Sequence, residues 1–306
     1  VIIALFPGQG SQTPGFLSPW LDLDGVRERL LEFSDAAGVD LIAAGTEWDT
    51  DRIRDTAVAQ PLIVAASILS YEVLGQRADV TFDGMAGHSV GEVAALVAAG
   101  VLSAVDGMKL VGIRGRSMAD AATAADTGMS AVVGGTQSDV LDALSAANLT
   151  PANYNGPGQI VAAGAREGLN ALAESAPRGT RVIPLQVAGA FHTEYMAAAV
   201  GALREASASV AVSDPAATLW TNSDGSVVVD GAAALSLLVN QVSSPVRWDL
   251  CMESFAAAGV TALIEFAPAG TLTGLAKRGL KGVPTVAVKS PDDLSGAIDL
   301  VKGTAA

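Results

Sequence analysis

The chain is poor in cysteine, histidine, aromatic residues and positive charge, and each shortage excludes something. Cys251 is the single cysteine in 306 residues, so no internal disulfide can form. A reducing, cytoplasmic setting is the natural reading of that. Only two histidines are present, and no Cys/His cluster has metal-ligand spacing, so a metal site is not expected. Aromatics make up 5% of the chain against 50% hydrophobic residues. Packing therefore falls to Ala, Val, Leu and Gly, as in a tightly packed α/β protein. Lys and Arg number 18 against 32 Asp and Glu, a net charge of −14. A nucleic-acid partner would need a basic footprint, and this chain lacks one overall. Charges also break the apolar stretches before they reach membrane-spanning length. The run from Val58 to Leu74 holds a proline and a glutamate, and reads as a core helix and not a membrane span. Val1 to Phe6 has no basic flank or cleavage site, and reads as a strand and not a signal peptide.

What is present is an alternation of strands and helices with no repeat or charged linker. The first strand ends at Phe6 and runs into Pro7-Gly8-Gln9-Gly10-Ser11-Gln12. Helical segments fill most of Gly25 to Leu74. An apolar run from Val80 to Ala86 then leads into Gly87-His88-Ser89-Val90-Gly91. Beyond it Val90, Val93, Ala94 and Val97 recur at helical spacing, so this segment is strand, tight turn, helix. From Gly128 the order becomes βαββαβ. Strands are expected at Met129–Val133, Ala152–Asn155, Gln159–Ala163 and Arg181–Val187, with helices at Ser138–Ala147 and Glu167–Ser175. That order is ferredoxin-like. The expected organisation is a large α/β domain from residues 1–126 and 190–306, interrupted by a small ferredoxin-like subdomain at 127–189.

Gly-x-Ser-x-Gly on a strand-to-helix turn is a nucleophile elbow. Its glycines permit the sharp turn and the close packing around it. The serine hydroxyl is then presented at a helix N-terminus, where backbone N–H groups face developing negative charge. A bare Gly-x-Ser-x-Gly can also be a flexible turn; the flanking strand and helix favour the nucleophile at Ser89. A serine needs a base. His88 adjoins the nucleophile, and its side chain is expected to lie beneath the elbow, packing and hydrogen bonding there. A lone buried histidine is usually a satisfied core residue, but rejecting His192 would leave Ser89 without a base. The third member stays open. Asp139 and Asp142 lie on what reads as a solvated helix, and a backbone carbonyl could orient the imidazole as well as a carboxylate.

Seven segments then form a series: Phe6 to Gln12, Ala59-Gln60-Pro61, Gly87 to Glu92, Arg114-Gly115-x-x-Met118, Asn153-x-Asn155-x-Pro157-Gly158-Gln159, Phe191-His192, and Asn240-Gln241-x-x-x-Pro245-Val246-x-Trp248. In order and spacing the chain resembles bacterial malonyl-CoA:acyl carrier protein transacylases over nearly its whole length. It resembles less closely the acyltransferase domains of polyketide and fatty acid synthases. The resemblance implies an α/β-hydrolase-like core with the ferredoxin-like insertion. It implies a Ser89–His192 dyad whose imidazole is held by a main-chain carbonyl near Gln241. It places the oxyanion hole on the N–H groups of Gln9 and Val90, and puts Arg114, Phe191 and Gln241 around the substrate. His88, Gln60 and Asn155 are set behind them. No cofactor is implied, since the substrate is a CoA thioester and the partner carries the phosphopantetheine.

Arg114 carries the inference of a carboxylated acyl group, because a planar guanidinium matches a carboxylate through two parallel hydrogen bonds. The plain alternative is a surface arginine on the helix Val105 to Met118, the default for Arg116. Val90 stands where leucine is common in the family, and Thr193 where serine is frequent; neither removes a needed group. Phe191 resembles the malonyl-selecting members, since its ring would crowd an α-methyl branch, an effect of about 1–3 kcal/mol. A serine hydrolase or thioesterase would explain Ser89 and His192 but leave Arg114 and the Gln9 loop idle. A non-catalytic scaffold would need neither nucleophile nor base. An acidic enzyme meeting an acidic carrier protein needs a local basic surface. The densest is Lys277, Arg278 and Lys281, with Arg178 and Arg181 as the alternative and a solvated helix end as the plain reading.

Overall fold

The computed structural model describes residues 1–304. Its strands, in chain order, are β1 (Ile2–Phe6), β2 (Gly84–Gly87), β3 (Thr127–Gly134), β4 (Thr150–Tyr154), β5 (Gln159–Ala165), β6 (Thr180–Pro184), β7 (Thr218–Trp220), β8 (Val227–Val228), β9 (Val246–Arg247), β10 (Ala262–Glu265) and β11 (Thr285–Ala287). They form a six-stranded sheet, ordered β11-β10-β1-β2-β7-β8, and a five-stranded sheet, ordered β6-β3-β5-β4-β9.

In the larger sheet every pairing is parallel except the edge pair β7–β8. Parallel strands covered on both faces should read as unbroken apolar runs. β1, Ile-Ile-Ala-Leu-Phe, does, and all five residues are buried. Its side chains alternate between two cores, as the two-residue period of a strand requires. Ile2, Ala4 and Phe6 join the large core that holds Leu62, Ile68 and Val111. Ile3 and Leu5 join a separate core with Trp220, Trp248 and Phe255. The helix Thr56–Arg77 is long and apolar enough to cross a membrane by length and composition, but most of it is buried inside the protein.

The smaller sheet pairs β3 with β5 and β6, and β5 with β4, all antiparallel. Counting only the four strands of residues 127–184, the spatial order is fourth, first, third, second. Val132, Ile160 and Ala162 face the helices Gln137–Ala146 and Arg166–Glu174. Met129, Ala131 and Val161 face the other way, into a cavity between the sheets.

Four expectations change. The strand after Val80 is confined to Gly84–Gly87, because Asp83 already turns its carboxylate onto the Ile2 N–H at 2.7 Å. The strand from Arg181 stops at Pro184; the Leu185 N–H still bonds the Met129 carbonyl of β3 at 2.9 Å, and Leu185 and Val187 line the cavity. A fifth strand, β9, joins the smaller sheet from far along the chain and runs parallel to β4. Two residues are too few to show a period, so it was not foreseeable. The helix expected over Val105 to Met118 runs from Ala104 to Ala122.

Candidate active site

Ser89 sits between β2 and the helix Gly91–Ala98 with φ of 53°, a left-handed conformation rare for a residue with a side chain. Steric crowding explains the flanking glycines. A Cβ on Gly87 would lie 2.0 Å from the Gly91 carbonyl carbon, and one on Gly91 would lie 2.1 Å from the Phe6 oxygen. The elbow is therefore pressed against itself and against the end of β1, and no larger residue fits at either position.

His192 is brought to it from 103 residues away, and Ser89 Oγ lies 2.7 Å from His192 Nε2. His192 is itself left-handed, with φ of 61°. Its Nδ1 lies 2.8 Å from the Gln241 carbonyl oxygen, which fixes the tautomer with Nδ1 donating and Nε2 free to accept. The third partner of the serine and histidine is thus a main-chain carbonyl. Asp139 and Asp142 are exposed, and Asp139 opens the helix Gln137–Ala146 of the smaller sheet. Burial pushes the His192 imidazole down to about 3, and the Arg114 charge adds to that, while the bond to Gln241 opposes it. The ring is neutral at pH 7, as a base must be.

The Gln9 and Val90 N–H groups donate to no protein acceptor among the described residues, whereas the Ser89 N–H is taken by Asn222 Oδ1 at 2.7 Å. Gln9, Ser89, Phe191 and His192 line one cavity of about 280 Å³. His88 lines it too, with Nε2 2.9 Å from Asn155 Oδ1, so its ring lies beside the cavity and not beneath the elbow. A T-shaped contact with Trp248, 5.6 Å between ring centres, holds it there.

Arg114 does not line that cavity. It is 1% exposed, with Nη1 donating to Gln60 Oε1 at 2.6 Å and Nη2 to Gln241 Oε1 at 2.9 Å. Its Nε has no partner. Burial pushes the guanidinium down to about 10, and Glu92 pulls it back. Gln241 joins the two halves of the site, since its carbonyl holds His192 and its side-chain oxygen holds Arg114.

Two buried residues were missed by sequence reasoning. Glu92, quoted within its motif but given no role, accepts from the Asn222 N–H and from Gln241 Nε2, both at 2.5 Å. Burial pushes its carboxyl up to about 8, against the Asn222 hydrogen bond and the Arg114 charge. Asn222 sits in Thr221-Asn222-Ser223-Asp224-Gly225, which reads as an ordinary turn. Among the described residues no group of three or more His, Cys, Asp and Glu could hold a metal ion.

The basic cluster lies at the cavity's edge. Lys277 and Arg278 close the helix Thr271–Gly279, whose Thr271 and Leu275 line the cavity. Arg278 Nη2 donates to Gln159 Oε1 at 2.8 Å, and Gln159 also lines it. Lys277, Arg278 and Lys281 are exposed. Arg178 and Arg181 are exposed as well, but line no part of this cavity.

A family model described as "Acyl transferase domain" matches residues 4–292. The malonyl CoA-acyl carrier protein transacylase of Mycobacterium tuberculosis (strain H37Rv) is 51% identical over 296 residues, covering 96% of this chain and 98% of the relative. Among solved structures, the crystal structure of MCAT from Mycobacterium tuberculosis superposes with a TM-score of 0.94 at 52% identity, covering 97% of this chain and 99% of that one. A malonyl-transacylase solved in complex with its type II polyketide synthase acyl carrier protein superposes with a TM-score of 0.92 at 30% identity, with 99% of each chain covered.

Proposed function

Because the chain belongs to the acyl transferase domain family, we propose that it moves a malonyl group from malonyl-CoA to the phosphopantetheine thiol of acyl carrier protein through an ester on Ser89. The observation that carries this reading is the Gln241 bridge, which ties a neutral base on Ser89 to a buried guanidinium. The fold is read as an α/β-hydrolase-like domain of residues 1–126 and 190–306 around a ferredoxin-like insertion at 127–189; the fourth-first-third-second strand order supports the latter. A single buried thiol suits a reducing cytoplasm.

Ser89 Oγ attacks the thioester carbon and its proton passes to His192 Nε2. The carbonyl oxygen becomes an oxyanion, received by the N–H groups of Gln9 and Val90. Collapse breaks the C–S bond, and CoA leaves with the proton from His192. In the second half His192 takes the proton of the carrier's thiol, whose sulfur attacks the Ser89 ester, and the proton returns to Ser89 Oγ. Arg114 lies behind the cavity wall, so the malonyl carboxylate reaches it only as the acyl group opens a path between them. Gln60 and Gln241 then stand beside the pair, and Phe191 crowds the α-carbon. A hydrolase of the Ser-His-Asp kind is disfavoured by the carbonyl on His192 Nδ1.

The carrier docks at Lys277, Arg278 and Lys281. Their place beside the cavity supports this, and they form a local positive surface on a chain whose net charge is −14. The Lys277→Glu/Arg278→Glu variant should transfer malonyl to the carrier roughly 10-fold more slowly at low salt, with a flatter salt dependence. Acylation of Ser89 by malonyl-CoA should be largely retained. Unchanged carrier kinetics across a salt titration would move the search to Arg178 and Arg181. Malonate released at the same rate with and without the carrier would instead indicate hydrolysis.

A further inference from the structure

We propose that Asn222 is a positioning residue for the Ser89 elbow, clamping the peptides on either side of His88. This deepens the reading of Ser89 as nucleophile and rests on it. Asn222 is fully buried and does not line the cavity, so it acts through other groups. All four of its polar groups are engaged. Oδ1 accepts from the Ser89 N–H at 2.7 Å, and Nδ2 donates to the Gly87 carbonyl at 2.8 Å. The backbone N–H donates to Glu92 Oε1 at 2.5 Å, and the backbone carbonyl accepts from the Arg247 N–H at 2.8 Å.

These bonds form a closed frame around the nucleophile. Arg247 lies in β9, paired with Tyr154 of β4, and the next residue, Asn155, holds His88. His88 and Ser89 are thus gripped from the smaller sheet on one side and from Asn222 on the other. The grip is needed because Ser89 is held at φ of 53°, which its backbone would leave if free. Rotation of the 88–89 peptide would carry Ser89 Oγ and the Val90 N–H off line together. The loss would therefore fall mainly on the chemical step and leave binding of malonyl-CoA nearly intact. Arg114 keeps its bond to Gln60 and meets Asn222 only through Gln241, whose Nε2 donates to Asn222 Oδ1 at 3.2 Å and to Glu92 at 2.5 Å.

The test uses the full chain with Asn222→Ala and Asn222→Asp, and counts rates per folded molecule from thermal melts. Two reactions are followed: malonyl transfer, and labelling of Ser89 by a small sulfonyl fluoride, which needs an aligned nucleophile but not Arg114. Asn222→Ala should lower kcat about 100-fold with KM within about 3-fold, and should slow labelling by the same factor. Asn222→Asp keeps the acceptor for the Ser89 N–H and loses the donor to Gly87, so its kcat should fall between the alanine variant and the native protein. Wild-type kcat per folded molecule in the alanine variant would overturn the proposal, as would a loss confined to KM. If the alanine variant does not fold, the aspartate variant decides, and native kcat there overturns the two-armed clamp. Native protein left unlabelled at Ser89 would overturn the reading beneath it; labelling equal in native protein and variant would overturn this proposal alone.

Discussion

Replacing His192 with alanine is expected to slow acylation of Ser89 by malonyl-CoA about 10³-fold, while leaving the affinity for malonyl-CoA nearly unchanged. The serine hydroxyl lies 2.7 Å from Nε2 and has no other base beside it among the described residues. The companion pH expectation follows from the environment of the ring. Burial and the Arg114 charge hold His192 down to about 3, so the neutral form persists far below the ordinary imidazole range. Acylation measured as kcat/KM should stay flat from about pH 7.5 to 5.5, where an ordinary histidine would lose about 10-fold of its base form. The unfolded chain, in contrast, takes up the proton near its normal value. The His192 contribution to stability therefore falls as pH drops below about 6.5 toward the folded value. Glu92, pushed up to about 8 by burial, contributes in the opposite sense until pH reaches the ordinary carboxylate range. An acylation rate that tracks a midpoint near 6.5 would contradict the buried neutral base.

Arg114→Ala should lose malonyl transfer by about 10²–10³-fold and keep or gain acetyl transfer. The cause is desolvation. A malonyl carboxylate taken from water needs a charged, hydrogen-bonding partner, and breaking a buried pair costs about 3–5 kcal/mol. Arg114 is itself wholly buried, held by two amide oxygens and carrying an Nε with no partner, so donor capacity remains for an incoming carboxylate. Acetyl lacks that carboxylate and gains nothing from the guanidinium. Arg114→Lys should restore only part of the malonyl rate, because a point charge cannot reproduce the planar fork. Steady-state transfer with both thioesters checks this. Equal losses for malonyl-CoA and acetyl-CoA would mean that Arg114 supports Gln60 and Gln241 and does not select the acyl group.

How much of this was legible depends on how local each signal is. The elbow could be read because its constraint is written in adjacent residues; Gly87 and Gly91 have no room for a Cβ. The βαββαβ segment could be read because each element is long enough to show its period. β9 could not, having two residues and a partner nearly a hundred positions away. His192 was reached by elimination, and the Gln241 carbonyl through family resemblance, since a main-chain acceptor leaves no side-chain signature. Burial was the hardest property to foresee. Arg114 looked like a residue of the cavity wall and lies behind it, because two distant glutamines supply its acceptors. Glu92 carried no role in its motif and Asn222 sits in what reads as a turn, yet both are buried within hydrogen bonds of the elbow.

The central claim is that Ser89 carries the malonyl group between two thiols. Intact mass spectrometry after brief mixing with malonyl-CoA tests it most directly. One malonyl adduct per chain should form on the native protein, map to Ser89, and vanish when carrier thiol is added. The Ser89→Ala variant should show no adduct. A stoichiometric adduct that persists in that variant, or one on the native protein that maps elsewhere, would contradict the account.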